Sequence, residues 1–167
     1  LQPKAIKAIA ISAGPGSYTG LRIGTATAKG LCYGWDIPLI AVPTLRILAE
    51  RASDYLTDIQ YIIPMIDARR MEVFTSIYRS DFSTEAAAHP EILTETSFAS
   101  YLDQGKTLFL GDGASKFATI CSHPNAVFVT DQYPSAQQMG KLAMSLYEER
   151  QFEDIAYFEP FYLKEFY

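Results

Sequence analysis

The sequence predicts an α/β fold arranged in two lobes. Apolar runs typical of buried strands alternate with segments that have the apolar spacing of helices, which indicates a sheet covered by helices. Two neighbouring strand-like runs separated by a short polar turn add an antiparallel hairpin to that sheet. The composition changes near residues 53 to 60, and this change suggests that one lobe ends there and a second begins.

The composition excludes several classes of protein. Of the 167 residues, 49% are hydrophobic and 20% are charged, so the chain is folded and can bury a core without disulfides or a structural metal. Its 14 Lys and Arg and 19 Asp and Glu residues leave a net charge of -5, which argues against broad wrapping of nucleic acid. Cys32 and Cys121 are too few for a disulfide framework. No apolar run is long enough to cross a membrane, so the cytoplasm is the expected location.

The first predicted elements are a strand, a glycine-rich turn and a helix. Residues 5 to 11 are apolar except for Lys7, which suits a strand buried on both faces of a sheet. A turn over residues 13 to 20 follows. Residues 21 to 33 lack proline and carry apolar residues at helical spacing, so we expect a helix that ends near Gly34.

A short strand and a second helix come next. The strand is predicted over residues 39 to 42, and Thr44 is placed to cap the helix. One apolar stripe is expected on that helix, formed by Leu45, Leu48, Ala49 and Ala52.

The predicted hairpin comprises residues 61 to 67 and 72 to 78, joined by a polar turn. Residues 79 to 91 are polar and Ala-rich, and we expect them to form an exposed loop. After this loop, Ser97 is expected to cap a short helix through Leu102.

The last third of the chain repeats the order of strand, glycine turn and helix. A strand over residues 107 to 110 precedes a glycine-rich turn, and another strand is predicted over residues 126 to 129. Ser135 and Gln138 have capping-box spacing before a long final helix. The tail over residues 160 to 167 is aromatic and is expected to dock on the chain's own body or on a partner.

The glycine-rich turn has two interpretations. Residues 12 to 22 read Ser-Ala-Gly-Pro-Gly-Ser-Tyr-Thr-Gly-Leu-Arg and lie between a strand and a helix, where backbone N–H groups and the helix dipole can hold an anion. Leu21 stands where a P-loop has its lysine, so the usual charged partner of a phosphate is missing. A tight structural turn is the favoured interpretation, and phosphate binding is the alternative.

The helix after this turn contains glycines that lower its stability. Gly24 and Gly30 lie inside it, and each costs about 1 kcal/mol relative to alanine. Gly20, Gly24 and Ala28 recur every four residues, which lets another backbone come close. Either the chain's own sheet and neighbouring helix cover this helix, or a partner's helix docks on its small residues.

The motifs at residues 12 to 24 and at residues 67 to 74 together resemble those of one family. The first reads Ser-x-Gly-Pro-Gly-Ser-Tyr-Thr-Gly-Leu-Arg-Ile-Gly, and the second reads Asp-Ala-Arg-Arg-x-Glu-Val-Phe. They resemble the TsaB (YeaZ) family, bacterial accessory subunits for threonylcarbamoyladenosine formation in tRNA. The resemblance is strong up to about residue 80. It implies the two-lobe fold of the actin-like ATPases (ASKHA, ribonuclease H-like).

The resemblance also implies how the chain is divided and what it assembles with. The first lobe is expected to be incomplete, because the family begins with a strand hairpin carrying an Asp-Thr-Ser-type motif, and a truncation before Leu1 is therefore expected. Residues 1 to 57 would be the remainder of that lobe, with the glycine turn and partner-docking helices, and residues 58 to 167 the second lobe with its tail. The implied partners are a TsaD-type catalytic subunit, a TsaE-type ATPase, tRNA indirectly, and a second copy when the chain is alone. The expected interface residues are Gly20, Arg22, Ile23, Gly24, Thr27, Ala28, Leu31, Leu45 and Leu48.

The resemblance further implies a non-catalytic role. The catalytic relatives bind a metal through two histidines four residues apart, and this chain has Thr44 and Leu48 at the matching positions. His89 and His123 have no ligand spacing, so no metal site and no catalytic residue are expected. The alternative is a nucleotide-dependent enzyme of the actin-like superfamily or a glycoprotease-like metallopeptidase.

The hairpin turn supplies the candidate cofactor-binding residues. The superfamily normally has glycines there, because phosphate must approach the backbone closely. Asp67, Arg69, Arg70 and Glu72 stand here instead, and the two guanidiniums could bind a phosphate or a carboxylate. The favoured alternative is a structural ion-pair network at the lobe interface. No cofactor is assigned to this chain, and ATP is expected at the level of the partner or the complex.

Overall fold

The structure is a computed structural model that describes residues 5–55 and 57–164. In chain order its elements are β1 (Ile9–Ser12), α1 (Tyr18–Trp35), β2 (Leu39–Val42), α2 (Thr44–Ala49), a 3₁₀ helix (Glu50–Asp54), β3 (Tyr61–Asp67), β4 (Glu72–Arg79), β5 (Thr84–Ile92), α3 (Ala99–Leu102), β6 (Thr107–Gly111), α4 (Ala114–Ala118), β7 (Ala126–Thr130) and α5 (Ala136–Glu148).

The chain divides into two compact units, and the division differs from the expected one. The first unit comprises Leu1–Ile47 and Ser135–Tyr167, and the second comprises Leu48–Pro134. The expected boundary at residues 57 and 58 left the last helix and the tail in the second lobe. Both belong to the first unit, because Ala143 of α5 packs against Ile40 and Val42 and the amide of Phe161 in the tail donates to the carbonyl of Ala13.

The first unit is built on two short parallel strands. β1 and β2 pair over four residues, from Ile9 opposite Leu39 to Ser12 opposite Val42. The predicted strand over residues 5 to 11 is therefore wrong at its start, because β2 offers only four residues for pairing. α1 is longer than predicted at both ends, since Ser17 caps it and accepts a hydrogen bond from the amide of Gly20.

The predicted stripe on α2 is confirmed. Leu45, Leu48, Ala49 and Ala52 are all buried, and α2 continues directly into the 3₁₀ helix that carries Ala52. Leu48, Ala49 and Ala52 pack in the core of the second unit.

The second unit is a five-stranded mixed sheet in the order β5-β4-β3-β6-β7. The predicted hairpin of β3 and β4 is confirmed, and β6 and β7 run parallel to β3. Phe98, which precedes α3, packs on one face with Phe109 of β6 and Phe117 of α4. Ile62, Leu108 and Leu110 lie in the cluster on the other face. The sheet therefore has an apolar core on both sides.

Three local predictions are wrong. Residues 79 to 91 are not an exposed loop, because most of them form β5, an edge strand paired antiparallel with β4. Ser97 does not cap α3, since its hydroxyl accepts a hydrogen bond from the amide of Thr94. Ser135 does not complete a capping box, since its hydroxyl bonds to the side chain of Gln138 and to no backbone amide in the described part of the chain.

Candidate partner-binding site

The glycine-rich turn uses its backbone groups inside the chain. The amide of Ala13 donates to the carbonyl of Val42 over 2.8 Å, and the amide of Gly14 donates to the Thr44 hydroxyl over 3.0 Å. The amide of Thr44 returns a hydrogen bond of 2.9 Å to the carbonyl of Gly14. These N–H groups are therefore not directed at an anion, which favours the interpretation as a structural turn.

Gly14 is required by the C-terminal tail. Its φ is +105°, a conformation that side-chain-bearing residues rarely adopt, and a Cβ there would collide with the carbonyl oxygen of Phe161. The amide of Phe161 donates to the carbonyl of Ala13 over 2.7 Å. The tail thus docks on the chain's own glycine turn, one of the two outcomes expected for it.

Thr44 and Leu48, the two positions where metal-binding histidines are expected in catalytic relatives, contact other residues of this chain. The Thr44 hydroxyl lies 2.5 Å from that of Ser12 and also accepts from Gly14. Leu48 is fully buried. Within residues 5–55 and 57–164, no group of three or more His, Cys, Asp or Glu side chains is placed to hold a metal ion.

The two histidines lie in different parts of the second unit, His89 on β5 and His123 between α4 and β7. His89, on β5, donates a hydrogen bond of 2.8 Å from its Nδ1 to the carbonyl of Ala87. The ring of His123 lies 3.5 Å from the Asp103 carboxylate and accepts from the amide of Asn125. The two rings therefore contact different residues and share no partner among those described.

Asp67 at the end of β3 has local partners. Its carboxylate accepts hydrogen bonds of 2.6 Å from the backbone amide of Arg69 and from the ammonium group of Lys116. Lys116, on α4, was missed by the sequence analysis because it lies 49 positions along the chain. The ion pair of Asp67 is therefore made with Lys116 on α4, outside the four hairpin residues that were expected to form the network.

The pKa of Asp67 reflects these partners. Partial burial raises the pKa. The hydrogen bonds from Lys116 and from the Arg69 amide, together with the charges of both side chains, lower the pKa by more than burial raises it. The net pKa lies below the ordinary value of an aspartate. This carboxylate is therefore charged at neutral pH and paired with Lys116.

Arg69 and Arg70 form the tip of the hairpin. Both have positive φ, 69° and 49°, and both are exposed. Neither guanidinium makes a hydrogen bond or an ion pair with the part of the chain that the structure describes. Of the four candidate cofactor-binding residues, these two have side chains directed to solvent with cationic groups available.

The turn after β6 is closed by backbone contacts. A Cβ at Gly111, whose φ is +117°, would collide with the carbonyl oxygen of Met65. Asp112 accepts a hydrogen bond of 3.1 Å from the amide of Asp67, and the amide of Gly113 donates to Met65 over 3.1 Å. The glycines of this turn therefore allow close packing against the end of β3.

The outer side of α1 has the composition of a contact surface. Its 18 residues include Arg22 and Lys29 but no acidic residue. Ile23 is 63% exposed although it is apolar. We call the exposed strip the small-residue face; it consists of Gly20, Ile23, Gly24, Thr27, Gly30, Leu31 and Gly34. A helix side of this length without charge is unusual for a surface that faces only water.

Three of the four glycines on this face have no neighbour among the described residues. A Cβ added to Gly24, Gly30 or Gly34 would have no heavy atom of the described residues within 4 Å, apart from the helix's own backbone. By contrast, Gly14 and Gly111 are each required by a nearby carbonyl. Packing within the described chain therefore gives no reason for the glycines inside α1.

Sequence comparisons find related proteins that match most of the chain. A family model described as TsaD, tRNA N6-adenosine threonylcarbamoyltransferase, matches residues 1–165. The protein of Escherichia coli named tRNA threonylcarbamoyladenosine biosynthesis protein TsaB is 31% identical over 95% of this chain and 71% of its own length. The namesake from Haemophilus influenzae is 30% identical over 95% of this chain and 70% of its length. The chain belongs to the TsaB (YeaZ) family.

Solved structures of this family have the same fold. YeaZ from Pseudomonas aeruginosa superimposes with a TM-score of 0.76 at 25% identity, over 98% of this chain and 77% of that one. A second Pseudomonas aeruginosa structure, described as similar to the peptidase YeaZ, gives a TM-score of 0.80 at 26% identity, covering 76% of that chain. The expected actin-like α/β fold of the TsaB family is confirmed.

For this TsaB-family chain, the structure corrects three of the expected interface residues. Gly20, Arg22, Ile23, Gly24, Thr27 and Leu31 are exposed. Ala28, Leu45 and Leu48 are at most 3% exposed, because each packs into the chain's own core. These three side chains cannot touch a partner unless the chain opens. No helix in the described residues has the length and apolar character needed to span a membrane.

Proposed function

We propose that this protein is a non-catalytic accessory subunit in the synthesis of threonylcarbamoyladenosine in tRNA. It acts in the cytoplasm by dimerising with a TsaD-type catalytic subunit. The curated relatives named as biosynthesis proteins for this nucleoside support the pathway. The small-residue face of α1 supports the mode of action.

The single observation that carries the proposal is the set of open glycines on α1. Gly24 and Gly30, in the interior of α1, together cost the helix about 2 kcal/mol relative to alanine. No described neighbour within 4 Å of their Cβ positions offsets that cost. A second helix laid along this face would do so, because a glycine lets two backbones approach more closely than any other residue.

The uncharged exposed side of α1 supports the same mode. Ile23 and Leu31 remain exposed beside the glycines, so a docking helix would bury them and gain about 25 cal/mol for each Å² of apolar surface removed from water. The charged residues of α1 are Arg22 and Lys29, and neither belongs to the small-residue face. The chemistry fits an apolar helix of a protein partner.

The matching of Thr44 and Leu48 to metal-binding histidines supports the accessory role. A hydroxyl already hydrogen-bonded to Ser12 and Gly14 and a buried leucine cannot replace two imidazoles as metal ligands. In this proposal the catalytic subunit supplies the metal and the ATP-dependent chemistry. A TsaE-type ATPase joins the assembly.

The net charge of -5 supports an indirect role toward tRNA. An acidic chain has little electrostatic attraction for phosphates, so the RNA is held by the other subunits or by a surface that they share with this one.

Co-purification with the catalytic subunit of the same organism tests the proposal. Gly24→Leu places a side chain in the proposed helix contact, and we expect it to abolish the complex. Gly140→Leu is the matched control, because Gly140 lies on an exposed turn of α5 and its Cβ position is equally open. Both variants should unfold at urea concentrations no lower than that of the parent, because leucine is a better helix former than glycine and its side chain meets no described neighbour at the Cβ position.

Reconstituted tRNA modification completes the test. The catalytic subunit and the ATPase should form the modified adenosine in tRNA with the parent and with Gly140→Leu, and should not with Gly24→Leu. Unchanged binding and modification by Gly24→Leu would remove the docking assignment. ATP turnover by the isolated chain would favour the nucleotide-dependent enzyme instead.

A further inference from the structure

The tip of the β3–β4 hairpin carries two adjacent arginines in an unfavourable backbone conformation. We call it the arginine tip; it consists of Arg69 and Arg70. Both have positive φ, which residues with a Cβ rarely adopt and glycine adopts without steric cost. Hairpin turns that require two such residues strongly prefer Asn-Gly, Asp-Gly or Gly-Gly. Formation of the hairpin therefore gives no reason for arginine at both positions.

Contacts beneath the arginine tip hold its backbone in place. The Asp67 carboxylate accepts hydrogen bonds of 2.6 Å from the amide of Arg69 and from the ammonium group of Lys116. The amide of Glu72 donates to the carbonyl of Arg69 over 3.2 Å, and the amide of Ala68 donates to the carbonyl of Glu72 over 3.1 Å. The two side chains therefore extend from a fixed base, so less conformational freedom is lost when they bind a ligand.

The two guanidiniums of the arginine tip are available to bind an anion. Lys116 supplies the ion pair of Asp67 from α4, so neither arginine is needed for it. Within the described part of the chain, neither guanidinium has a hydrogen-bond or ion-pair partner. A guanidinium is a planar cation whose N–H groups bind two oxygens of a phosphate or a carboxylate at once. Two of them on consecutive exposed residues are typical of a site for oxyanions.

The ribose-phosphate backbone of tRNA is the anion that fits this site best. Nucleotide pockets are concave and bring the phosphate close to backbone amides through glycines, whereas the tip is an exposed turn without glycine. Arginine contacts to phosphates account for a large share of the hydrogen bonds between proteins and nucleic acids. The net charge of -5 prevents the chain from holding RNA by itself. The tip can still add a local contact to RNA that other subunits hold.

We propose that the arginine tip binds phosphate groups of the tRNA while the assembled complex holds that RNA. This inference rests on the proposed function, because the other subunits supply most of the affinity. Phosphate contacts carry no sequence information, so the tip orients the tRNA and does not select it.

Binding of unmodified tRNA by the complex of the full chain with the catalytic subunit and the ATPase tests the inference. The double variant Arg69→Gly/Arg70→Gly removes both cations, and we expect the Kd for tRNA to rise at least about tenfold. The plot of log K against log salt concentration should become shallower by about 1.4 to 1.8, because each neutralised phosphate contributes about 0.7 in single strands and about 0.9 in duplexes. The melting temperature should stay close to that of the parent, since glycine accepts positive φ.

Two further variants control for charge and for conformation. Arg69→Lys/Arg70→Lys keeps both cations and should keep the salt dependence of the parent. Arg150→Gly is the matched control, because Arg150 is also exposed and also has positive φ, 56°, but lies in the first unit. Its complex should bind tRNA with the parent's Kd.

The outcomes separate this inference from the proposed function. A Kd within twofold of the parent and an unchanged salt dependence for the glycine double variant overturn the inference alone. Loss of binding to the catalytic subunit or the ATPase without tRNA also overturns it, because the tip would then contact a protein. ATP binding by the isolated chain that this variant loses would assign the tip to a nucleotide instead. An equal loss for Arg150→Gly overturns it too, since the effect would then follow net charge. If the parent chain does not join the catalytic subunit, both proposals fail.

Discussion

Alanine in place of the open glycines of α1 should change stability and binding in opposite directions. In Gly24→Ala and Gly30→Ala the new methyl group meets no described neighbour within 4 Å, so the variants gain helix propensity and lose none of the packing within the chain. Each should stabilise the isolated protein by about 0.5–1 kcal/mol. For a chain of this size the melting temperature should rise by about 2–4 °C for each kcal/mol.

The same methyl groups should weaken the complex. A backbone that approaches a glycine closely is displaced by a methyl group, and overpacking of this kind costs about 1–3 kcal/mol. The Kd for the catalytic subunit should therefore rise by a factor of about 5 to 150. Urea denaturation of the isolated chain measures the first effect, and calorimetry with the partner measures the second.

Gly140→Ala separates the two effects. Gly140 is also in a helix and its Cβ position is also open, so this variant should gain stability to a similar extent. It lies on α5, away from the proposed contact, and its affinity for the partner should equal that of the parent. The reasoning is refuted if the α1 variants become more stable and bind as tightly as Gly140→Ala does.

Two further predictions concern Asp67 and Leu48. Because the folded-state pKa of Asp67 is lowered, its stabilising effect is present above the unfolded value of about 3.9 and is lost as the pH falls through the folded value. The ion pair between Asp67 and Lys116 is partly exposed, so its contribution to stability is small. Asp67→Asn should therefore have a free energy of unfolding at most about 1 kcal/mol lower than that of the parent at pH 7. Urea titrations at pH 3 should show a smaller difference between the two proteins. Leu48→Ala should lose about 2–5 kcal/mol of stability because the side chain is fully buried, while calorimetry on the folded protein should give the parent's Kd; a weakened Kd would return Leu48 to the interface.

The elements that could be predicted are those with a strong local pattern. α1, α2 and the β3–β4 hairpin follow from apolar periodicity and from short turns, which depend on neighbouring residues alone. β5 could not be found in this way. Its sequence, TEAAAHPEI, has low strand propensity and contains a proline, and it is a strand because β4 pairs with it at the edge of the sheet.

Only part of the candidate site, the glycines inside α1, could be predicted from the sequence. Gly24 and Gly30 could be identified from sequence, because glycine inside a helix has an energetic cost in any fold. Which side of the helix is buried depends on the packing of β1, β2 and the tail, so the burial of Ala28 could not be read from the spacing. Likewise, Lys116 pairs with Asp67 across 49 positions, and no local signal links the two.

The bonding of Thr44 and the burial of Leu48 limit which residues can replace them in this chain. A change of Leu48 to histidine would place a polar ring in an apolar core, at a cost of several kcal/mol, before any metal could bind. A change of Thr44 would also free the glycine turn from its hydroxyl contact with Gly14. Neither single step back toward a pair of imidazoles keeps the fold as stable as it is now. The stability of the fold alone therefore disfavours a pair of metal-binding histidines at these two positions of the chain.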